Sequence, residues 1–145
     1  MKLLNQKQLA TVLVALGVIP FLAFTAAIAG FDPLEFPAQP ASMLHVYGVV
    51  IGTFVAGLHW GIHFCKRTQD SVYLYSSLIT LLLWCSMWSI GSALGLMLVL
   101  LGFVLLWLVE YRFSAQRVTT AWFWKLRSAV SAIVVLCLGV AIVLL

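Results

Sequence analysis

Charged residues are scarce in this chain. Only 8% of its 145 residues are Asp, Glu, Lys or Arg, whereas 64% are hydrophobic. A soluble domain carries about 25% charged residues, so the composition excludes an ordinary water-soluble fold. Inside hydrocarbon every backbone N–H and C=O must be bonded internally, which leaves only helices and closed barrels as spanning structures. The long apolar runs lack the period-two alternation of barrel strands, and they therefore predict an all-α membrane protein.

Five apolar segments of the chain are long enough to cross a bilayer, since a span needs roughly 20 apolar residues. The run over 72–109 is too long for one span, because a single helix of that length would reach nearly twice the thickness of the hydrocarbon core. It must fold back at the Gly and Ser residues of 89–92. The whole chain is then one domain, 1–145, with these predicted spans: 9–29, 44–65, 72–88, 93–109 and 128–145.

The basic residues predict the orientation of these five spans. All eight fall at the N-terminus or in the second and fourth connections: Lys2, Lys7, Lys66, Arg67, Arg112, Arg117, Lys125 and Arg127. The opposite side has only Asp32 and Glu35. Because cytoplasmic segments collect Lys and Arg, the N-terminus is predicted in the cytoplasm and the C-terminus outside. The net charge of +4 follows from this bias and from contact with anionic lipids, so no nucleic-acid partner is expected.

One residue inside the first span and two segments outside the spans have an unusual composition. Pro20 removes a backbone bond from the first span and predicts a kink there. Residues 30–40 carry three prolines among aromatic residues and predict a stiff cap on the membrane surface. Residues 110–127 mix cations with aromatic residues, and we interpret them as an anchor that fixes the entry of the fifth span, with Trp122 and Trp124 at the interface. The alternative is that the last ten of these residues form an interfacial helix.

The second span is the part of the chain most able to carry chemistry. It contains all three histidines of the protein: His45, His59 and His63. At about 100° per residue the first and last point the same way, and the middle one lies within about 40° of them. Small residues follow the same stripe: Gly48, Gly52 and Ala56. Such stripes let helices approach closely, so this face is predicted to point into the bundle or at another subunit.

The histidines admit several interpretations. Haem ligation would need a homodimer, because no other span has a histidine. His59 and His63 lie on adjacent turns and suit a metal ion. Ionisable groups inside a membrane often mark a proton or substrate pathway. The interpretation we favour is structural: each histidine bonds across helices, Glu110 forms an inter-helix ion pair with His63, Lys66 or Arg67, and no cofactor or metal is bound.

Recognisable catalytic motifs are missing from the sequence. It has no GxSxG, Walker or GxGxxG pattern. Its three cysteines, Cys65, Cys85 and Cys137, form no CxxC pair and are expected to act as small apolar packing residues.

Residues 47–61 resemble the signature helix of a known family. They read YGVVIGTFVAGLHWG, similar to the pattern Y-G-x-x-I-x-x-F-x-x-G-x-x-W-G of an uncharacterised family (domain of unknown function 3429, transmembrane protein 69-like). Trp122 followed by Leu126 and Arg127 is a second similarity, whereas the third span lacks the proline of the family pattern. The resemblance implies five spans and a place in the bacterial inner membrane or in mitochondria, and it brings no established activity.

The signature has a physical interpretation as a packing surface. Its glycines remove side chains so that neighbouring helices come close: Gly48, Gly52, Gly57 and Gly61. Tyr47 and Trp60 bracket the span and are predicted to anchor it at the two interfaces.

The sequence leaves three functions open. The leading hypothesis is a non-enzymatic accessory or assembly module of the bacterial inner membrane, surrounded by lipid and working as a homo-oligomer or within a larger complex. The second is a haem-, metal- or quinone-linked redox subunit using His59 and His63. The third is a small oligomeric transporter or proton-conducting protein.

Overall fold

A computed structural model describes residues 5–32, 35–36, 38–66, 71–115 and 119–145. Regular structure in these ranges is entirely helical: α1 Gln6–Leu16, α2 Ile19–Ile28, α3 Pro40–Lys66, α4 Val72–Ser86, a short 3-10 helix Met87–Ser89, α5 Ala93–Ala115 and α6 Ala121–Leu144. Five stretches are long and apolar enough to cross a membrane: Gln6–Ile28, Pro40–Cys65, Val72–Ser89, Ala93–Arg112 and Ala121–Leu144. The predicted all-α, five-span fold is confirmed.

The orientation of the bundle stays a prediction. Three of the basic residues on which it depends, Lys2, Arg67 and Arg117, lie outside the described residues, as do Pro33 and Pro37 of the predicted surface cap.

The first span is broken at Gly17 and Val18, between α1 and α2. Pro20 is the second residue of α2, where its missing N–H costs little because the first turn of a helix has unpaired donors anyway. The Tyr47 hydroxyl donates to the Gly17 carbonyl at 3.0 Å and satisfies one acceptor at the break.

No residue of α1 is buried, and an apolar groove of about 390 Å³ runs between α1, α3 and α6.

The third and fourth spans are joined by a tight turn, as predicted. The 3-10 helix ends at Ser89, Ser92 N–H donates to the Ser89 carbonyl at 3.1 Å, and α5 begins at Ala93. Gly91 has φ of 72°, a left-handed conformation that glycine adopts without steric cost.

The fifth span begins earlier than expected. A single helix runs over Ala121–Leu144, so residues 121–127 continue directly into the fifth span and the alternative of a separate interfacial helix before residue 128 is wrong. No glycine or proline interrupts residues 121–138, and the chain therefore has no reason to break the helix where the aromatic residues meet the apolar run.

The described parts of the five spans form a closed ring, and α3 also packs across it on α5. α3 packs on α2, α4 and α5, while α6 packs on α5 and α2. Large side chains from all five spans fill the interior: Phe21, Leu44, Leu83, Leu96, Leu106 and Leu138. Leu83 of α4 is fully buried and fits between Gly52 of α3 and Gly102 of α5. A Cβ atom at either glycine would come within 2.6 Å of a Leu83 methyl carbon.

Candidate functional site

A buried ion pair joins α5 to α6 at the end of the bundle nearest their connection. Glu110 is only 7% exposed. Arg127 donates to its Oε1 atom from Nε at 3.0 Å and from Nη2 at 2.7 Å. A buried charge must be paired and hydrogen-bonded to be tolerated, and the arginine supplies both conditions. The pair forms because the continuous α6 places Arg127 one turn and a half into the helix, opposite the last apolar turn of α5.

His59 of α3 extends this ion pair across the bundle. The side chain is fully buried, and its Nε2 atom lies 3.5 Å from Glu110 Oε1. The other ring nitrogen, Nδ1, lies 3.0 Å from the hydroxyl of Ser76 on α4. Ser76 is also fully buried. Four helices therefore meet in one polar cluster, which we define as Ser76, His59, Glu110 and Arg127.

The ion pair predicted for Glu110 has different partners from those expected. The expected partners are His63, Lys66 or Arg67, whereas the structure pairs Glu110 with Arg127 and brings His59 next to it. Arg67 and the side chain of Lys66 lie outside what the structure describes. The sequence does not single out Arg127 as a partner, because a fifth span that begins at residue 128 leaves Arg127 outside the bundle; its place after Trp122 and Leu126 in the family resemblance is the signal that points to it.

His45 forms a second polar contact at the opposite end of α3. Gly91 N–H donates to its Nδ1 atom at 3.3 Å, and its Nε2 atom lies 2.9 Å from the Ser86 hydroxyl. Since Nδ1 accepts a hydrogen bond, Nε2 must carry the ring proton and donate to Ser86. Ser86 in turn donates to the Leu83 carbonyl at 2.6 Å. His45 thus holds the α4–α5 turn against α3, and its ring fits where Gly95 has no side chain.

His63 has aromatic neighbours. Its ring centroid lies 5.1 Å from that of Tyr73 and 5.3 Å from that of Phe64. The metal alternative named His59 and His63 together, but His59 faces Ser76 and Glu110 with its two nitrogens. Among the residues that the structure describes, no three His, Cys, Asp or Glu side chains are grouped for a metal ion.

The predicted packing face of α3 divides into two halves. Gly48, Gly52 and Ala56 face the interior: a Cβ atom at Gly48 would lie 2.8 Å from a Val99 side-chain carbon, and Ala56 is 1% exposed. Gly57 and Gly61 face outwards, and a Cβ atom at either would meet nothing within 4 Å. Within the described part of this chain no neighbouring helix packs on these two glycines, so helix packing at Gly57 and Gly61 stays a prediction for another subunit.

The residues predicted as interface anchors occupy different environments. Tyr47 points into the bundle, with its ring 5.0 Å from that of Phe21 and its hydroxyl on Gly17, so it stabilises the broken first span. Trp60 and Trp122 are exposed. Trp124 packs against Trp107 of α5, with 5.7 Å between the ring centroids.

Comparison with known proteins identifies a family. A family model described as "Protein of unknown function (DUF3429)" matches residues 6–143. Comparison with curated proteins and with solved structures finds no significant match. Because the match covers nearly the whole chain, and five apolar helices follow the layout that the resemblance implied, the protein belongs to the DUF3429 family of unknown function.

Proposed function

We propose that this protein is a non-enzymatic accessory or assembly module of the bacterial inner membrane, and that it docks a transmembrane helix of a partner protein. The observation that carries the proposal is the outward pair Gly57 and Gly61. They form a G-x-x-x-G sequence on α3, both are exposed, and none of the residues that the structure describes covers them. This spacing exposes a strip of backbone against which another helix can pack closely.

The surroundings of the two glycines support helix docking. Phe54 is 72% exposed and Phe64 is 66% exposed, and both lie on the same outward stripe as Gly57 and Gly61. The four residues thus form an exposed strip in which two glycines lie between two aromatic residues along the helix, and we call this strip the α3 outer face. Lipid chains gain little attraction by packing on this strip. A helix with small residues can approach the exposed backbone closely and gains more van der Waals attraction.

Cross-linking inside the membrane tests this proposal. A photo-reactive amino acid at Phe54 should form one discrete protein adduct in intact cells, and Gly57→Leu should abolish that adduct because the new side chain prevents another helix from approaching the backbone of α3 closely. Gly139→Leu on α6 is the matched control, since a Cβ atom at Gly139 also meets nothing within 4 Å; it should leave the adduct unchanged.

The identity of the adduct decides between partners. An adduct with a different membrane protein supports the proposal. An adduct of two copies of this chain would replace the partner with a homo-oligomer. Lipid adducts alone, or equal cross-linking in both glycine variants, would refute docking at the α3 outer face.

One observation favours a second candidate, a proton-conducting protein. The polar cluster places a carboxylate, an imidazole and a guanidinium inside the apolar bundle, and intramembrane ionisable groups often mark proton pathways. Proton flux into liposomes that is lost in Glu110→Gln would favour this candidate. The redox alternative has less support, because metal ligation by His59 would displace Ser76 or Glu110 from its ring.

A further inference from the structure

An apolar groove opens on the outer surface of the bundle between α4 and α5. Its volume is about 340 Å³, which falls within the range of roughly 300–1,000 Å³ that small-molecule sites occupy. Its walls come from α4 and α5, and none of the described residues of α3 lines it. The groove is therefore separate from the α3 outer face.

The walls of this groove are apolar over most of their length. The lining residues recur at intervals of three or four along each helix, so they share one face of it. Val72 and Ile79 are buried and form the floor, whereas Leu108 and the ring of Tyr75 are exposed and form the sides. On the outer surface of a transmembrane bundle, such a groove is open to the lipid chains.

The groove begins at the end of two membrane spans. Val72 is the first residue of the third span and Arg112 is the last residue of the fourth, and both line the groove. The lining extends from Val72 to Ile79 on α4 and from Leu105 to Arg112 on α5, which is about 10 Å of each helix at 1.5 Å per residue. The groove thus runs from the membrane boundary to about a third of the depth of the hydrocarbon core.

Arg112 brings a positive charge to the boundary end of the groove. It lies in the last turn of α5, is exposed, and makes no hydrogen bond or ion pair with any residue that the structure describes. Glu110, two residues earlier, is bound to Arg127. Asp70, which precedes α4, lies outside the described residues. Within the described part of the chain, the Arg112 guanidinium is therefore available to an anion from outside.

Tyr75 adds a hydroxyl group near the same end. It lies three residues after Val72, within one helical turn, and its hydroxyl has no hydrogen-bond partner among the described residues. Tyrosine suits this depth, because its ring contacts apolar chains while its hydroxyl reaches polar head groups. The groove thus combines an apolar floor with a cation and a hydroxyl donor at head-group level.

We propose that this groove binds one anionic phospholipid. The phosphate accepts hydrogen bonds from the Arg112 guanidinium, whose planar fork matches phosphate oxygens, and the first part of one acyl chain lies on the floor formed by Val72 and Ile79. Basic pockets between transmembrane helices bind anionic head groups by the same chemistry. An anionic phospholipid supplies both the charge and the apolar chain in one molecule, at the depth where the groove has their complements.

Lipid binding at this groove does not depend on helix docking. The α3 outer face and the groove between α4 and α5 share no residue. The cross-linking experiment at Phe54 can therefore fail while lipid binding stands, and a protein that docks a partner through α3 can lack the lipid site.

Native mass spectrometry of the whole protein tests the lipid. The protein is released from nanodiscs that contain equal amounts of phosphatidylglycerol and phosphatidylcholine with the same acyl chains. We expect one phosphatidylglycerol to remain bound per copy, in preference to phosphatidylcholine by about fivefold or more, the contribution of one basic residue at an anionic lipid surface. Equal retention of the two lipids, or retention of neither, would overturn the inference.

Arg112→Gln separates the site from a general attraction of anionic lipids to a basic protein. It should remove the preference for phosphatidylglycerol, a loss of about fivefold or more. Lys125→Gln is the matched control, because Lys125 is an exposed cation near the start of α6, at the same end of the bundle, and does not line the groove. It should leave the preference unchanged, and an equal loss in both variants would refute a specific site.

A second pair of variants tests the groove while keeping the charge. Leu108→Trp places an indole in the groove and should displace the acyl chain, so that retained phosphatidylglycerol falls by about fivefold although Arg112 is present. Leu101→Trp is the control: Leu101 is 44% exposed against 46% for Leu108, and it lies two turns earlier on the same face of α5, outside the groove. It should have no effect. Unchanged retention in Leu108→Trp, or an equal loss in both, would show that the groove does not hold the lipid. This pair remains decisive if Arg112→Gln fails to fold.

Discussion

Leu83 and its two glycines allow a quantitative test of the packing. A Cβ atom introduced by Gly52→Ala would lie 2.6 Å from Leu83 Cδ1, about 1 Å inside the usual carbon–carbon contact of 3.5–4.0 Å. A leucine methyl group can often move aside. Here it cannot, because Leu83 Cδ2 already occupies the space that a Cβ atom at Gly102 would need, again at 2.6 Å. Movement away from one glycine drives the side chain into the other helix.

We therefore expect Gly52→Ala to lower the free energy of unfolding by about 1–3 kcal/mol, the usual cost of overpacking. Gly57→Ala is the matched control on the same helix, since its Cβ atom meets nothing within 4 Å. It should be neutral, or stabilising by up to about 1 kcal/mol, because alanine is the better helix former. The free energies of unfolding of both variants can be measured by SDS titration in mixed micelles, with the fluorescence of the six tryptophans as the signal.

A double-mutant cycle isolates the contact. Leu83→Ala alone should cost about 2–5 kcal/mol through the cavity it leaves. In that background the methyl group of Gly52→Ala meets no obstacle, so its cost should disappear, which corresponds to a coupling energy of about 1–3 kcal/mol. Equal stability of Gly52→Ala and Gly57→Ala, or a Gly52→Ala penalty that is the same with and without Leu83, would refute the explanation.

Three further predictions concern the break, the ion pair and the topology. Tyr47→Phe should lower the unfolding free energy by about 0.5–1.5 kcal/mol, because the Gly17 carbonyl loses its donor; an unchanged SDS midpoint would contradict this. Arg127→Lys should cost about 1.5–3 kcal/mol in the same assay despite the retained charge, since lysine cannot reproduce both guanidinium bonds to Glu110, and full stability of this variant would contradict it. A reporter fused after Leu145 should read as external and one inserted at 116–118 as cytoplasmic; the opposite pattern would overturn the orientation predicted from Lys and Arg.

The number of spans and the reversal after the third span could be predicted from the sequence, because both depend on local properties. The length of an apolar run decides whether a helix crosses a bilayer. The turn before Ala93 needs a residue that tolerates a positive φ, and Gly91 stands there with φ of 72°. Helix periodicity also placed Gly48 and Gly52 correctly on an inward face.

The same periodicity should have separated Gly57 and Gly61 from that face. Each follows an inward glycine by nine residues, which is about 180° of helix rotation, so the glycines of the signature cannot share one surface. The structure places the two pairs on opposite sides of α3. Grouping all four as one packing face followed the composition of the signature instead of its geometry.

The partners of the polar cluster could not be predicted in the same way. Glu110 and Arg127 are 17 residues apart on different helices, and their contact depends on where α6 begins and how it is rotated against α5. Ser76 is one of several serines in apolar segments, and only the packing of α4 on α3 brings it to His59. Hydrogen bonds between helices are decided by tertiary contacts, which a single sequence does not contain.

The break at Gly17 and Val18 has a consequence for how the protein fits its membrane. A bilayer that is thicker or thinner than a bundle must be matched by tilting, stretching or a local change in the lipid. α2 to α6 are joined by their packed interior and resist tilting separately, whereas α1 contributes no buried residue and already lacks helical continuity with α2. The Tyr47 ring packs on Phe21 of α2, and its hydroxyl fixes the break itself by donating to the Gly17 carbonyl. Changes in bilayer thickness are therefore expected to alter the tilt of α1 alone, which lets the chain enter membranes of different thickness while the other four spans keep their arrangement.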